Sequence, residues 1–169
     1  MYTATVPMMK RALEKLSALL DKADAFAKER NIDASVLLNS RLVADQFPFV
    51  KQIQIASDNA KGCAGRLAGV EIPVFPNTET TVAELKERVQ KTIDFLNTIK
   101  PEQIDGGEER MVDYPYAKGK VMTGYDYATE HAIPNFFFHV TTAYSILRHN
   151  GVQIGKKDYI GPLSLKDQS

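Results

Sequence analysis

The chain has 169 residues, 44% hydrophobic and 25% charged, which is the balance of an ordinary globular protein long enough to bury a proper core. Lys plus Arg and Asp plus Glu each total 21, so the formal net charge is zero. That argues against a nucleic-acid binder resting on a basic face, and it leaves self-association unopposed by net charge.

Cys63 is the single cysteine, which excludes an intrachain disulfide and a cysteine-based zinc cluster. No run approaches the ~20 apolar residues of a membrane span. The opening MYTATVPMMKRALEK lacks the apolar core and cleavage site of a secretory signal. One domain over residues 1–169, cytoplasmic and away from membranes, is expected.

In chain order, Val6, Met9, Leu13, Leu16, Leu20 and Ala23 recur at steps of three and four, predicting a helix from Val6 to Lys28 that stops at Asn31. Asp33 is placed to cap a short helical piece presenting Leu37, Leu38 and Leu42. A second long helix is predicted from Pro48, with Phe49, Ile53, Ala56, Ala60, Ala64 and Leu67 as its stripe and Gln52, Asn59 and Cys63 down one flank. Glycines at 65 and 69, then Pro73 and Pro76, end it. Thr81-Val-Ala-Glu84 has the form of a capping box and opens a third helix carrying Val82, Leu85, Val89, Ile93 and Leu96, with Pro101 marking its end. The stretch ERMVDYPYAKGKVM suggests a small β-hairpin with its turn near Tyr116 to Gly119.

The fourth helix is expected from Pro134 to the neighbourhood of Gly151. Proline suits the first helical turn, a glycine suits the position after the last, and Arg148 and His149 sit at the negative end of the dipole. Phe136, Val140, Ala143 and Leu147 form its main stripe, flanked by Phe137 and Tyr144 on one side and by Asn135, His139 and Ile146 on the other. Phe138 falls nearly opposite, so it needs a cover, either a partner subunit or the tail from Val152 to Leu165.

Four such helices imply an all-α four-helix bundle. The 13-residue connection from Ala68 to Thr80 is long enough to cross the bundle and set helix three parallel to helix two. The Gly155-Lys156 stretch lacks phosphate-loop spacing. No paired-carboxylate motif, nucleophile elbow or dinucleotide fingerprint is present.

The order of elements, with Asn135-Phe-Phe-Phe-His139, Thr142-Ala-Tyr144, Ile146-Leu-Arg-His-Asn-Gly151, Gly155-Lys156 and Asp158-Tyr159, resembles the DinB/YfiT-like superfamily of four-helix bundles. Within it, the chain is similar to an uncharacterised bacterial domain-of-unknown-function branch. Phe47-Pro48-Phe49 with Gln52, leading to Arg66-Leu-Ala-Gly69 and Pro73, is a weaker part of the same likeness. Metal-binding members of the superfamily use one histidine from the second helix and an HxxxH pair from the fourth, ahead of an LRxxG-like ending. Leu147-Arg148 to Gly151 matches that ending, and His139 then takes the place of the pair's second histidine. Asn135 stands at the first, and the second helix offers only Gln52.

His139 is the candidate pocket residue, with Asn135 and Gln52 able to face the same interhelical space. The plainer reading is an amide network that fixes helix register. His131 is expected in a solvent-facing loop, His149 on the surface, and Cys63 in the core rather than as a nucleophile. The resemblance implies a helical-bundle protein with a degenerate metal site, non-catalytic or binding a small molecule and without cofactor, while the outward-facing Phe138 points to a homodimer. The alternative is a divalent-metal-dependent, thiol-transferase-like enzyme using zinc or nickel around His139.

Overall fold

The computed structural model describes residues 1–166. Helix α1, Val6–Arg30, buries Met9, Leu13, Leu16, Leu20 and Ala23 and stops at Asn31, whose φ of 53° is left-handed. Helix α2, Ala34–Leu38, is capped by Asp33, whose carboxylate accepts from the Ser35 N–H at 2.8 Å. Helix α3, Phe49–Ala68, follows Pro48 and ends at Gly69, φ 68°. Helix α4, Val82–Thr98, opens with the reciprocal bonds of a capping box between Thr81 and Glu84. Each boundary follows from a local signal: an N-cap oxygen, or a residue that tolerates positive φ.

As expected, α4 ends at Thr98, just ahead of Pro101, and the proline does more than mark that end. It opens a further turn, α5, Pro101–Ile104, because a proline at the first helical position forfeits no hydrogen bond. Strands β1, Met111–Asp113, and β2, Val121–Thr123, pair antiparallel with Met111 opposite Thr123. Their turn runs from Tyr114 to Lys120, closed by Tyr114 N–H to the Lys120 carbonyl at 2.9 Å.

The last long helix also starts earlier than proline placement suggests. The chain is helical from α6, Gly124–Asp126, through a π-helical segment, Tyr127–Ala132, into α7, Ile133–His149. Pro134 has no N–H to give four residues back and its ring crowds that carbonyl. A wide π turn just before it lets the helix continue. A short α8, Lys156–Ile160, follows the loop after α7.

Cross-helix bonds define the topology. Lys10 donates to Asn97 at 2.7 Å and Lys86 pairs with Asp21, so α1 and α4 are antiparallel. Gln52 meets His139 and Arg66 meets Tyr127, so α3 and α7 are antiparallel. Arg110 donates to the Leu67 carbonyl at 2.9 Å and to the Gln103 carbonyl at 3.2 Å, bringing the end of α3 beside α5. Helix α4 therefore runs parallel to α3, and the chain between Ala68 and Val82 crosses the bundle. Thirteen residues extended reach about 43 Å, against about 30 Å for the 20 residues of α3.

Arg88 fastens that crossover. Its side chain is 1% exposed and bonds Asp58 at 2.7 Å, Glu79 at 2.8 Å and the Pro76 carbonyl at 3.1 Å, with its guanidinium against the Phe75 ring. One side chain of α4 thus holds both α3 and the strap. The tail buries Val152 and Ile154, and Tyr159 bonds Thr141 at 2.8 Å. It settles beside Phe137 and α1, leaving Phe138 56% exposed, so the tail is not the cover for that ring.

Replacing Arg88 with Met leaves the part-buried Glu79 without its cation, and a loss of about 3 kcal/mol in urea unfolding is expected. Burial pushes the Glu79 carboxyl upward, but bonds from Arg88, the backbone and Gln54 outweigh it and hold its pKa below 4.5. A lowered folded-state pKa contributes stability above the unfolded value that is lost as pH falls through the folded one. Unfolding curves should show that acid loss in the native chain and less of it in Arg88→Met.

Candidate functional site

Helices α3 and α7 make the most intimate interface of the bundle because α3 offers small residues there. Ala56, Ala60, Cys63 and Ala64 are fully buried, and Ala143 faces them from α7. At one end of this seam His139 Nδ1 lies 2.6 Å from Gln52 Oε1. Gln52 Nε2 donates to the Phe47 carbonyl at 2.8 Å. That second bond orients the amide with its oxygen toward the imidazole, so His139 donates from Nδ1 and presents Nε2 as the acceptor. Burial pushes the His139 pKa down to about 4, so the ring is neutral near pH 7.

Asn135 lies one turn before His139 and is half-buried. Its side chain makes no hydrogen bond to Gln52 or His139, so the structure joins two of the three sequence candidates and leaves the third apart. Phe138 projects outward with its ring 5.2 Å from that of His139.

The donor set does not fit a resident zinc or nickel ion. Such an ion wants several imidazoles, thiolates or carboxylates. Here one imidazole meets one amide, and that amide is already bonded at both ends. No cluster of three or more His, Cys, Asp or Glu suited to a metal occurs among the described residues.

Residues 1–160 match the family model DUF1993, a domain of unknown function. The chain belongs to the DUF1993 family. A crystal structure of a DinB family member protein from Shewanella denitrificans superposes with a TM-score of 0.94 at 45% sequence identity, covering 99% of this chain and 95% of that one. No curated protein sequence matches it. The DinB-like helical bundle expected from the fourth helix is therefore the fold of this DUF1993 protein. No helix among the described residues is long and apolar enough to cross a membrane.

His131 differs from expectation. It is not in a solvent-facing loop but half-buried in the π-helical segment, with its ring 5.2 Å from Tyr114, 5.3 Å from Tyr116 and 5.7 Å from Tyr127. The hairpin folds its turn tyrosines back onto the helix, a long-range contact that hairpin alternation does not reveal. Cys63 is fully buried and its thiol is pushed up to about 12 by burial, so it is no thiolate nucleophile. His149 is exposed.

A neutral buried imidazole makes stability depend on pH. The unfolded chain takes up a proton at the ordinary 6.5 and the folded one only near 4, so His139 contributes stability above pH 6.5 that declines toward pH 4. Proton NMR should find the His139 ring titrating near pH 4, and His139→Gln should flatten that part of the stability profile.

Proposed function

We propose that this DUF1993 protein is a non-catalytic, homodimeric helical bundle that binds a small molecule, its metal position replaced by a hydrogen-bonded lock. The observation that carries this reading is the Gln52–His139 bond at 2.6 Å, with Gln52 tied in turn to the Phe47 carbonyl. Where the resembled superfamily sets three histidines toward an ion, this chain spends its one imidazole on a neutral contact between α3 and α7. A lock of this kind fixes the register of two helices packed on small residues, which apolar contacts alone specify less sharply. Transferase chemistry through a divalent metal would need ligands that Asn135 and Gln52 supply poorly.

The same corner of the molecule supports the dimer. Phe138 is 56% exposed and Phe47 is 53% exposed, one beside His139 in sequence and the other accepting from Gln52. Two exposed phenyl rings flanking one polar pair suit the centre of an interface, where aromatic anchors carry much of the energy. A cytoplasmic location belongs to the same reading, consistent with a lone, buried, unpaired cysteine.

Protein purified without a metal-affinity tag, exposed to zinc or nickel and desalted, should carry far less than one metal per chain. Stoichiometric metal that His139→Ala removes would overturn the metal part. Sedimentation at micromolar concentration should give a dimer that Phe138→Asp dissociates, and a monomeric native chain would remove the dimer.

A further inference from the structure

A second polar feature of the α3 seam lies two helical turns from the Gln52–His139 lock and is not used by it. A cavity of about 250 Å3 opens between α3, the crossover strap and the β1–β2 turn. That is room for one small organic acid.

Its charge is set by one residue. Lys61 is paired with Asp58 at 3.1 Å, and Asp58 is also held by Arg88. Arg66 has no carboxylate partner among the described residues; its Nη1 donates only to the Tyr127 hydroxyl, at 3.3 Å. His131, on the opposite wall, is kept neutral by burial and by Arg66, which both lower its pKa. With Lys61 and Asp58 cancelling, the cavity carries a surplus of one positive charge, on a group whose planar fork matches a carboxylate.

The guanidinium is deliberately placed. A Cβ at residue 62 would stand 2.6 Å from Arg66 Nη1, so Gly62 is what lets the arm fold back along α3 into the cavity. A helix-interior glycine costs about 1 kcal/mol relative to alanine, and here it opens room for one side chain. One turn earlier, Asn59 lines the same space, is 9% exposed, and has a buried Oδ1 with no hydrogen-bond partner. A buried acceptor left unpaired costs about 1–3 kcal/mol, and turning the Asn59 amide so that this oxygen faces the cavity would let a ligand's O–H or N–H relieve it. Tyr116, edge-on to His131, and Tyr127, tilted against it, supply aromatic walls.

We infer that this cavity binds a small aromatic carboxylate carrying a hydrogen-bond donor, with Arg66 pairing the carboxylate and Asn59 accepting from the donor. The inference rests on the small-molecule part of the function proposed above and on neither its metal nor its dimer part. Gly62 acts as a positioning residue for the Arg66 guanidinium.

The test is a 1H–15N NMR titration of the full chain with 4-hydroxybenzoate, with benzoate and 4-hydroxybenzamide as comparison probes. Saturable shifts at the Asn59 side-chain amide, Gly62 and Arg66 are expected. Affinity should fall about tenfold or more in Arg66→Gln, as for loss of a charge-assisted pair. Gly62→Ala should weaken binding as well while leaving the melting temperature level or higher, which separates a displaced Arg66 from a damaged fold. Benzoate should bind more weakly than 4-hydroxybenzoate, and the neutral amide more weakly still. Equal binding by the amide and the acid, or unchanged affinity in both variants, would overturn the carboxylate assignment while leaving a small-molecule binder in place. No saturable shift with any of the three probes would overturn it outright.

Discussion

Helix α3 is buried on nearly all sides, with 14 of its 20 residues out of solvent, yet Gln52, Gln54, Ser57, Asn59 and Lys61 are among them. A buried polar group without a partner is costly, so each of these has to be answered. Gln52 is answered from neighbouring elements by His139 and Phe47, Gln54 by Glu79 and Ser57 by Thr92, whereas Lys61 pairs with Asp58 on α3 itself. The helices of the bundle are therefore joined not only by apolar stripes but by a set of specific bonds radiating from one central element. Asn59 alone among the five has an unanswered atom, its Oδ1.

Much of this was legible in the sequence where the signal is local. Asn31, Asp33, Gly69 and the Thr81–Glu84 box act through hydrogen bonds or φ values within a few residues, and the boundaries they imply match the structure to within a residue or two. Pro101 and Pro134 were harder, because a proline reads equally as an end or a beginning, and only the surrounding backbone selects. The π-helical turn from Tyr127 to Ala132 has no sequence signature, since its hydrogen bonds shift by one residue without any change of composition.

What composition and periodicity hid is the non-local polar chemistry. Arg88 sits on α4 outside the stripe of Val82, Leu85, Val89, Ile93 and Leu96, but the crossover brings Phe75, Pro76 and Glu79 over it and encloses it. His131 is enclosed in the same way by Tyr114 and Tyr116 from the hairpin turn. In the candidate site, Gln52 and His139 are singled out together by the ligand positions of the resembled superfamily, whereas the separation of Asn135 from that bond depends on how α7 rotates against α3. In this DinB-like bundle the one polar contact among the three candidates is the hydrogen bond between Gln52 on α3 and His139 on α7.

The crossover strap has one more effect. A connection long enough to span its own bundle is also long enough to hand the second half of the chain to a neighbouring copy, the exchange known as domain swapping. In this molecule the strap is not slack. Arg88 binds the carbonyl of Pro76 and the carboxylate of Glu79 while gripping Asp58 on α3. Trading halves between copies would first require breaking all three contacts and exposing a buried guanidinium. The same arginine that settles the interior therefore sets a kinetic barrier to entanglement, keeping each chain's two halves with each other.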